Sequence, residues 1–325
     1  MGNDLKLPGI HFSSPVVDAH CDTLTALKKQ QRRLGEKSGA GHLDLPRLLL
    51  GGVNLQFFAA FIGTEFRDNP LARALEIFDI FYEEMAVNSH QVEPVYTCGD
   101  VNRIINGGKV AALLTVEGGQ ALAGRLEVLR MFFRLGVRGI TLTWNGRNEL
   151  GDGVDEAGSG GGLTRFGVAV VREMNRLGMV IDVSHLSERG FWDVIKESAK
   201  PVIASHSNCR ALCDHPRNLD DEQIRALAAG GGVVGLCFYP DFVDKKEPSL
   251  ETWLDHVEHL AGLVGVDFMG IGSDFDGMET SLPGLADVTC LPVVTEGLLR
   301  RGFSGAEVQK ILGGNFLRVL SRVLP

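Results

Sequence analysis

Short apolar runs alternate with amphipathic helical stretches about eight times along this chain, and the alternation limits its fold more than any other feature. Repeated strand–helix units favour an α/β fold with a parallel sheet, closed into a (β/α)8 TIM barrel rather than left open. The predicted helices cover 70–88, 122–134, 164–177, 187–197, 220–229 and 250–264. The predicted strands cover 16–20, 53–62, 110–117, 137–143, 179–185, 202–206, 232–238 and 268–274.

No composition shift or linker divides the sequence, so we expect one domain over residues 1–325. Helical stretches near 304–323 follow the last strand, and we expect them to pack outside the barrel. The glycine-rich stretch 158–162 follows the fourth predicted strand, on the side where barrel enzymes have their active sites. It is either a mobile loop over such a site or a flexible connection without a role.

Charge and targeting features indicate an enzyme for small molecules. The net charge of -9 disfavours nucleic acid and anionic membranes as partners. The amino-terminus lacks a basic start with a long apolar stretch behind it, and no later run is long enough to span a bilayer. We therefore expect no membrane anchor and a cytoplasmic location. The six cysteines show neither a disulfide framework nor the close pairs of a zinc ribbon.

Polar side chains follow five of the apolar runs, at the point where each predicted strand ends. In a barrel these strand ends meet at one face. His20 and Asp22 are two residues apart, so on a strand they point to the same side. Burying such groups without partners costs several kcal/mol each, so a shared metal centre is the simplest explanation. The candidate ligands are His20, Asp22, Glu117, His185, His206 and Asp274.

Imidazole and carboxylate ligands suit Zn²⁺, with iron, cobalt or manganese as alternatives. The candidates exceed what one tetrahedral zinc ion needs, which favours two metals about 3.5–4 Å apart. Asp18 either orients a ligand or is a buried polar residue satisfied by the backbone. The other histidines that we considered are expected at the surface or at helix caps: His11, His42, His90, His256 and His259.

Several motifs, in order along nearly the whole chain, carry a family resemblance. Among them are Val17-Asp18-Ala19-His20-Cys21-Asp22, Ile181-Asp182-Val183-Ser184-His185-Leu186, Gly272-Ser273-Asp274-Phe275-Asp276-Gly277 and Gly313-Gly314-Asn315-Phe316-Leu317-Arg318. They resemble the membrane (renal) dipeptidase family of zinc peptidases, which are amidohydrolase-type barrels. The resemblance implies two zinc ions per chain, the first held by His20 and Asp22, the second by His185 and His206, with Glu117 bridging both.

The resemblance also implies roles in catalysis and substrate binding. Asp274 would take a proton from the attacking water and pass it to the leaving amine. Arg217 would bind the C-terminal carboxylate of a dipeptide, a task that its planar fork of donors suits. Animal members carry a substrate-contacting histidine after the fourth strand, whereas this chain resembles bacterial relatives and has Trp144 there. Carbonyl polarisation would then come from Asn145, Asn148 or the metal alone, and we expect Asn145 to bind substrate.

The predicted activity is zinc-dependent hydrolysis of dipeptides by a metal-activated hydroxide. Hydrolysis of a lactone or a cyclic amide uses the same metals and stays open as an alternative. A metal-free binding barrel is the alternative from another class, and it would be marked by a lost ligand. The sequence also leaves open dipeptides with D- or modified residues, the side-chain preference, the metal bound in the cell and the oligomeric state, a homodimer included.

Overall fold

The computed structural model describes residues 9–325 and folds them around a closed barrel of parallel strands. Residues 1–8, which bear on the expectation of no targeting segment, lie outside the described residues. The strands are β1 (Val16–Asp18), β2 (Val53–Phe61), β3 (Val92–Pro94), β4 (Val110–Glu117), β5 (Gly139–Thr141), β6 (Val180–Asp182), β7 (Ile203–Ala204), β8 (Val233–Leu236) and β9 (Met269–Ile271).

Strand order establishes the closure of the barrel. Around it run β1, β2, β4, β5, β6, β7, β8 and β9, and β9 pairs back onto β1 where Asp18 meets Ile271. The longest pairing joins β2 to β4, from Leu55 beside Ala111 to Phe61 beside Glu117. The predicted TIM barrel is confirmed, and each predicted run contains a strand. The additional strand β3, which was not predicted, pairs in parallel with the first part of β4.

Helices surround the strands, and several begin at caps that the sequence shows. Asp220 accepts a hydrogen bond from the backbone of Gln223 and forms a capping box. The predicted stretch 122–134 begins at the last residue of a 3₁₀ helix, Gly119–Leu122, and its α-helix starts only at Leu126. The α-helices are Gly9–Ser13, Thr23–Gln30, Leu45–Leu50, Pro70–Val87, Cys98–Asn106, Leu126–Arg134, Arg165–Leu177, Glu188–Glu197, Asp221–Ala229, Pro240–Val243, Leu250–Val264, Leu291–Arg300, Gly305–Gln309 and Asn315–Val323, the last two joined by a π-helix, Lys310–Gly314.

The last of these helices closes the amino-terminal end of the barrel. Its Phe316 ring lies 6.0 Å from the Phe57 ring between centroids, within a cluster that also contains the barrel-interior residue Val17. Arg318 Nη1 donates to the carbonyl of Gly231 just before β8, at 2.7 Å. The apolar face of Asn315–Val323 therefore completes the interior at this end, and the outer packing expected for 304–323 stays a prediction.

Two expectations from composition can be compared with the structure. All six cysteines are free thiols, in agreement with the absence of a disulfide framework. Within residues 9–325 we find no helix whose length and apolar character would allow it to cross a bilayer.

Candidate metal centre

The carboxyl ends of the strands bring the six predicted ligands together, with Glu117 at their centre. Its Oε2 lies 3.5 Å from His20 Nε2, and its Oε1 lies 2.8 Å from His185 Nε2 and 3.6 Å from His206 Nε2. One carboxylate oxygen therefore faces each of two ligand groups. His20 Nε2 is also 3.4 Å from Asp22 Oδ2 and 3.8 Å from Asp274 Oδ1.

Local backbone conformation aims these side chains at the common centre. His185 and Asp274 have φ of 67° and 65°, a left-handed conformation that is uncommon outside glycine and is often found at functional sites. Asp22 stands at the N-cap of Thr23–Gln30, yet its side chain makes no capping hydrogen bond. The carboxylate instead faces His20, and its buried Oδ1 has no hydrogen-bond partner within residues 9–325.

Burial dominates the electrostatics of the cluster. It raises the pKa of Glu117 well above its ordinary value and that of Asp274 to about 7. Burial also lowers the pKa of His185 and His206 well below the usual value, so both rings are neutral at pH 7. For His20 burial acts in the same direction, but neighbouring carboxylates, Glu117 foremost, outweigh it and raise the pKa to about 10.

Hydrogen bonds on the far side of two rings fix their tautomers. Ser205 donates its hydroxyl proton to Asp182 Oδ2, so its oxygen accepts from His206 Nδ1 at 2.8 Å. Asn145 Oδ1 accepts from His185 Nδ1 at 2.7 Å. Each ring therefore presents an Nε2 lone pair to the cluster, the arrangement usual for metal-binding histidines.

This donor set fits divalent cations. The Nε2 atoms of His185 and His206 lie 2.9 Å apart, and two lone pairs at that distance repel unless a cation lies against them. The buried Oδ1 of Asp22 accepts no hydrogen bond from residues 9–325, which leaves it available to a cation. There are three overlapping sets of ligands, and within each set the ligand atoms lie within 4.8 Å of one another. The sets are His20, Asp22 and Glu117; Glu117, His185 and His206; and His20, His206 and Asp274. Imidazole nitrogens and carboxylate oxygens are the ligands that zinc accepts.

Arg217 is buried near these ligands without a carboxylate within ion-pair distance among residues 9–325. Its Nη2 donates to the carbonyl of His206 at 3.0 Å, and its guanidinium lies 5.3 Å from the Phe242 ring centroid. Its Nε has no partner in the described chain, and burial lowers its pKa. A buried cation in this state is costly unless a ligand supplies the negative charge.

A cavity of about 860 Å³ joins Arg217 to the ligand cluster. Trp144 forms part of its wall, with its ring 5.4 Å from Phe61 and 6.2 Å from His185. Asn145, which we expected to bind substrate, lines the cavity, and its side-chain oxygen accepts a hydrogen bond from His185. The glycine-rich stretch 158–162 is not among the described residues that line it.

Sequence reasoning missed residues in the loops around this cavity. His215 lines it and accepts a hydrogen bond at Nδ1 from the Arg217 backbone, but it follows no apolar run that would have singled it out. Tyr239 also lines it, and Asp276 does so through its backbone, since its side chain has no exposed surface. The feature of the sequence that could have indicated Asp276 is its position as a second carboxylate two residues after Asp274.

Some expectations about individual polar residues need correction. His11 and His256 are fully buried rather than at the surface, because their rings bond to Gly51 O and Val243 O at 2.9 Å each. His42 lines the cavity. Asp18 accepts from the Ser273 backbone at 2.8 Å and from its hydroxyl at 2.7 Å, so it is a buried residue that ties β1 to the segment after β9.

Comparison with known proteins identifies the family. The profile described as membrane dipeptidase (Peptidase family M19) matches residues 6–324. The chain belongs to the membrane dipeptidase family. A dipeptidase of Claviceps purpurea is 37% identical over 88% of this chain and 70% of its own length. Membership in this family of metallopeptidases makes the protein a metal-dependent hydrolase.

Solved structures of the family have the same fold. The metallopeptidase dipeptidase AC superimposes with a TM-score of 0.89 and 30% identity, covering 96% of this chain and 99% of its own. A metallopeptidase from Rhodobacter sphaeroides, liganded with a phosphinate mimic of the dipeptide L-Ala-D-Ala, gives 0.89 and 29%, covering 95% of this chain and 99% of its own.

Proposed function

We propose that this protein is a zinc-dependent dipeptidase that uses two metal ions per chain. The observation that carries the proposal is Arg217, a buried guanidinium with no carboxylate in ion-pair distance among residues 9–325, which opens onto the same cavity as the metal-ligand cluster. A dipeptide brings a free carboxylate and a scissile amide a short distance apart. Pairing that carboxylate with Arg217 would direct the amide toward the cluster.

The two oxygens of Glu117 support a count of two ions. One ion would be held by His20 and Asp22, the other by His185 and His206, with Glu117 shared between them. When bound, zinc ions lower the pKa of a coordinated water and stabilise negative charge on a carbonyl oxygen. Asn145 and Ser205 would keep the two rings of the second group in the metal-binding tautomer.

Asp274 is suited to move the proton. Burial raises its pKa to about 7 in the metal-free protein, and its carboxylate lies beside the metal ligands, where it can exchange a proton with a bound water. We assign it to take the proton from the attacking water and to deliver it to the nitrogen of the leaving amine. Its Oδ1 faces the ring of His20, which keeps it at the edge of the cluster.

Arg217 also discriminates between the proposed function and its alternatives. A lactone or a cyclic amide without a carboxylate would leave the guanidinium unpaired. A metal-free barrel would leave the facing lone pairs of His185 and His206 without a cation. The ligand of the Rhodobacter sphaeroides relative supports including dipeptides whose second residue has the D configuration.

The test combines metal analysis with a panel of L-L and L-D dipeptides, their amides, lactones and cyclic amides. We expect close to two divalent metals per chain, loss of activity after chelation and recovery with zinc. Full activity with one metal or none would contradict the two-ion centre. Turnover of lactones without turnover of any dipeptide would contradict the dipeptidase.

The remaining proposals concern domain organisation, cellular location and oligomeric state. We propose that residues 9–325 form one domain, since Phe316 near one end completes an interior that contains Val17 near the other. A cytoplasmic location and a homodimer stay predictions.

A further inference from the structure

Asp276 has a fully buried carboxylate with three donors around it. Its Oδ1 accepts from the backbone of His42 at 2.6 Å, and its Oδ2 accepts from Thr23 Oγ1 and from Arg32 Nη2, each at 2.7 Å. Its own N–H donates to His42 Nδ1 at 2.9 Å. Like Asp274, it has a φ of 65°, so tertiary contacts hold it in a conformation that non-glycine residues rarely adopt.

These contacts join the two segments that carry site carboxylates. Thr23 directly follows Asp22, and Asp276 lies two residues after Asp274. The same segments are also tied by their backbones, since Asp22 N donates to Phe275 O at 2.9 Å and Asp274 N to His20 O at 3.3 Å. Asp276 adds a side-chain connection between them, next to the one that Ser273 Oγ makes to the carbonyl of His20 at 3.1 Å.

Gly277 shows how closely the two carboxylates approach. A Cβ on this glycine would lie 2.3 Å from both Asp22 Oδ2 and Asp274 Oδ1, so the two oxygens lie against its bare Cα. Two carboxylates that converge in a buried space repel each other when ionised. A rigid connection between their segments is needed to keep them there.

We propose that Asp276 is a positioning residue that fixes Asp22 and Asp274 relative to each other. Its side chain is fully buried, so it acts through Thr23, Arg32 and His42 rather than by touching substrate. The inference rests on the proposed function, which gives Asp22 and Asp274 their roles. A buried carboxylate that merely stabilised the fold would affect unfolding but neither metal affinity nor kcat.

Glu84 offers a matched control for loss of a buried charge. Its carboxylate is almost fully buried, accepts from the Leu34 backbone at 3.1 Å and pairs with Arg33 at 2.6 Å. Two of its partners, Arg33 and Leu34, follow Arg32 along the chain, but within the described residues none of its partners bonds to Asp22, Asp274 or Asp276. Glu84→Gln therefore removes a comparable charge away from the site.

The experiment compares Asp276→Asn with Glu84→Gln by Tm, by zinc titration of the metal-free protein, and by kcat and KM for a dipeptide. Both variants should lower Tm. Only Asp276→Asn should weaken the binding of one zinc ion or lower kcat, by about 10–100-fold, the usual scale for groups that orient metal ligands, with KM changed less than kcat. Thr23→Val removes one hydrogen bond to Asp276. It should lower zinc affinity or kcat by a smaller factor, and it provides the test if Asp276→Asn does not fold.

Native zinc affinity together with native kcat in the folded Asp276→Asn variant would overturn the inference. Equal losses of zinc affinity and kcat in Glu84→Gln would overturn it as well. If Asp276→Asn does not fold, native affinity and kcat in Thr23→Val would overturn it. Failure of the proposed function gives a different result, because the wild-type protein itself would then hydrolyse no dipeptide. In that case zinc titration still measures the effect of Asp276 on the position of Asp22.

Discussion

The two ends of the barrel are built from the same strands but from opposite kinds of side chain. At the amino-terminal end, Val17 of β1 packs in an apolar cluster with Phe316 of the last helix. Three residues later, His20 stands among buried carboxylates at the other end. The comparison teaches that one end stabilises the barrel, while the other contains groups that are unfavourable without a bound ligand.

The contrast extends to the backbone and to charge. His185 and Asp274 adopt left-handed conformations at the carboxyl end, and Arg217 is buried there with no carboxylate of the described chain in ion-pair distance. Strain and unpaired charge of this kind persist only where the surrounding structure enforces them. Substitutions at the two ends should therefore separate activity from stability.

The largest effect is expected from Asp274→Asn. The variant keeps the size of the side chain but cannot take up a proton, so kcat should fall by roughly two to four orders of magnitude while metal and substrate binding stay mostly intact. Steady-state kinetics and metal analysis measure both. Near-native kcat would show that Asp274 is not the proton carrier, and loss of metal would make it a ligand instead.

At the opposite end, Phe316→Ala should lower the free energy of unfolding by about 3–5 kcal/mol, because it leaves a cavity in the closed interior. Urea denaturation measures the loss, and kcat per folded molecule should stay close to the wild-type value. Phe316→Leu is the milder control. A fall in kcat without a loss of stability would contradict the division between the two ends.

Arg217→Met should cost about 2–4 kcal/mol in kcat/KM for dipeptides, the scale of removing one partner of a buried charge pair. A dipeptide amide already lacks the carboxylate, so the wild-type enzyme should disfavour it and the variant should discriminate much less between amide and acid. Equal turnover of amide and acid by the wild-type enzyme would remove the main reason for choosing a dipeptide.

The smallest effect is expected from Asn145→Ala, which removes the acceptor that orients His185. Zinc affinity or activity should fall by about 10–100-fold, the usual consequence of losing such a partner. Asn145→Asp keeps an acceptor oxygen at the same position and should retain most of the affinity. If both variants lose zinc affinity equally, Asn145 acts through another contact.

The sequence predicts the barrel and the ligand set because both depend on local patterns. Each site strand is an apolar run that ends in a polar residue, as Val110–Glu117 illustrates. Strand β3 was missed because three residues that end in proline carry almost no periodicity. Amphipathic periodicity indicates that Asn315–Val323 has an apolar face, but it does not say which apolar surface the helix covers.

Contacts between loops could not be predicted in the same way. Asn145 meets His185 and Asp276 meets Arg32 only after the barrel brings distant segments together. The burial of His11 depends likewise on Thr295, which lies far along the chain. Such partners have no characteristic spacing in the sequence, and they are the ones that set tautomers and hold carboxylates in place.

The helix that closes the amino-terminal end has a consequence for biosynthesis. Synthesis proceeds from the amino-terminus, so Val17 leaves the ribosome long before Phe316, its neighbour in the apolar cluster, exists. At ~5–20 residues per second the interval is roughly 15–60 seconds. During that time the barrel interior lacks its closing helix, and the nascent chain is most exposed to aggregation. Slower translation would lengthen this vulnerable period without changing the stability of the finished protein.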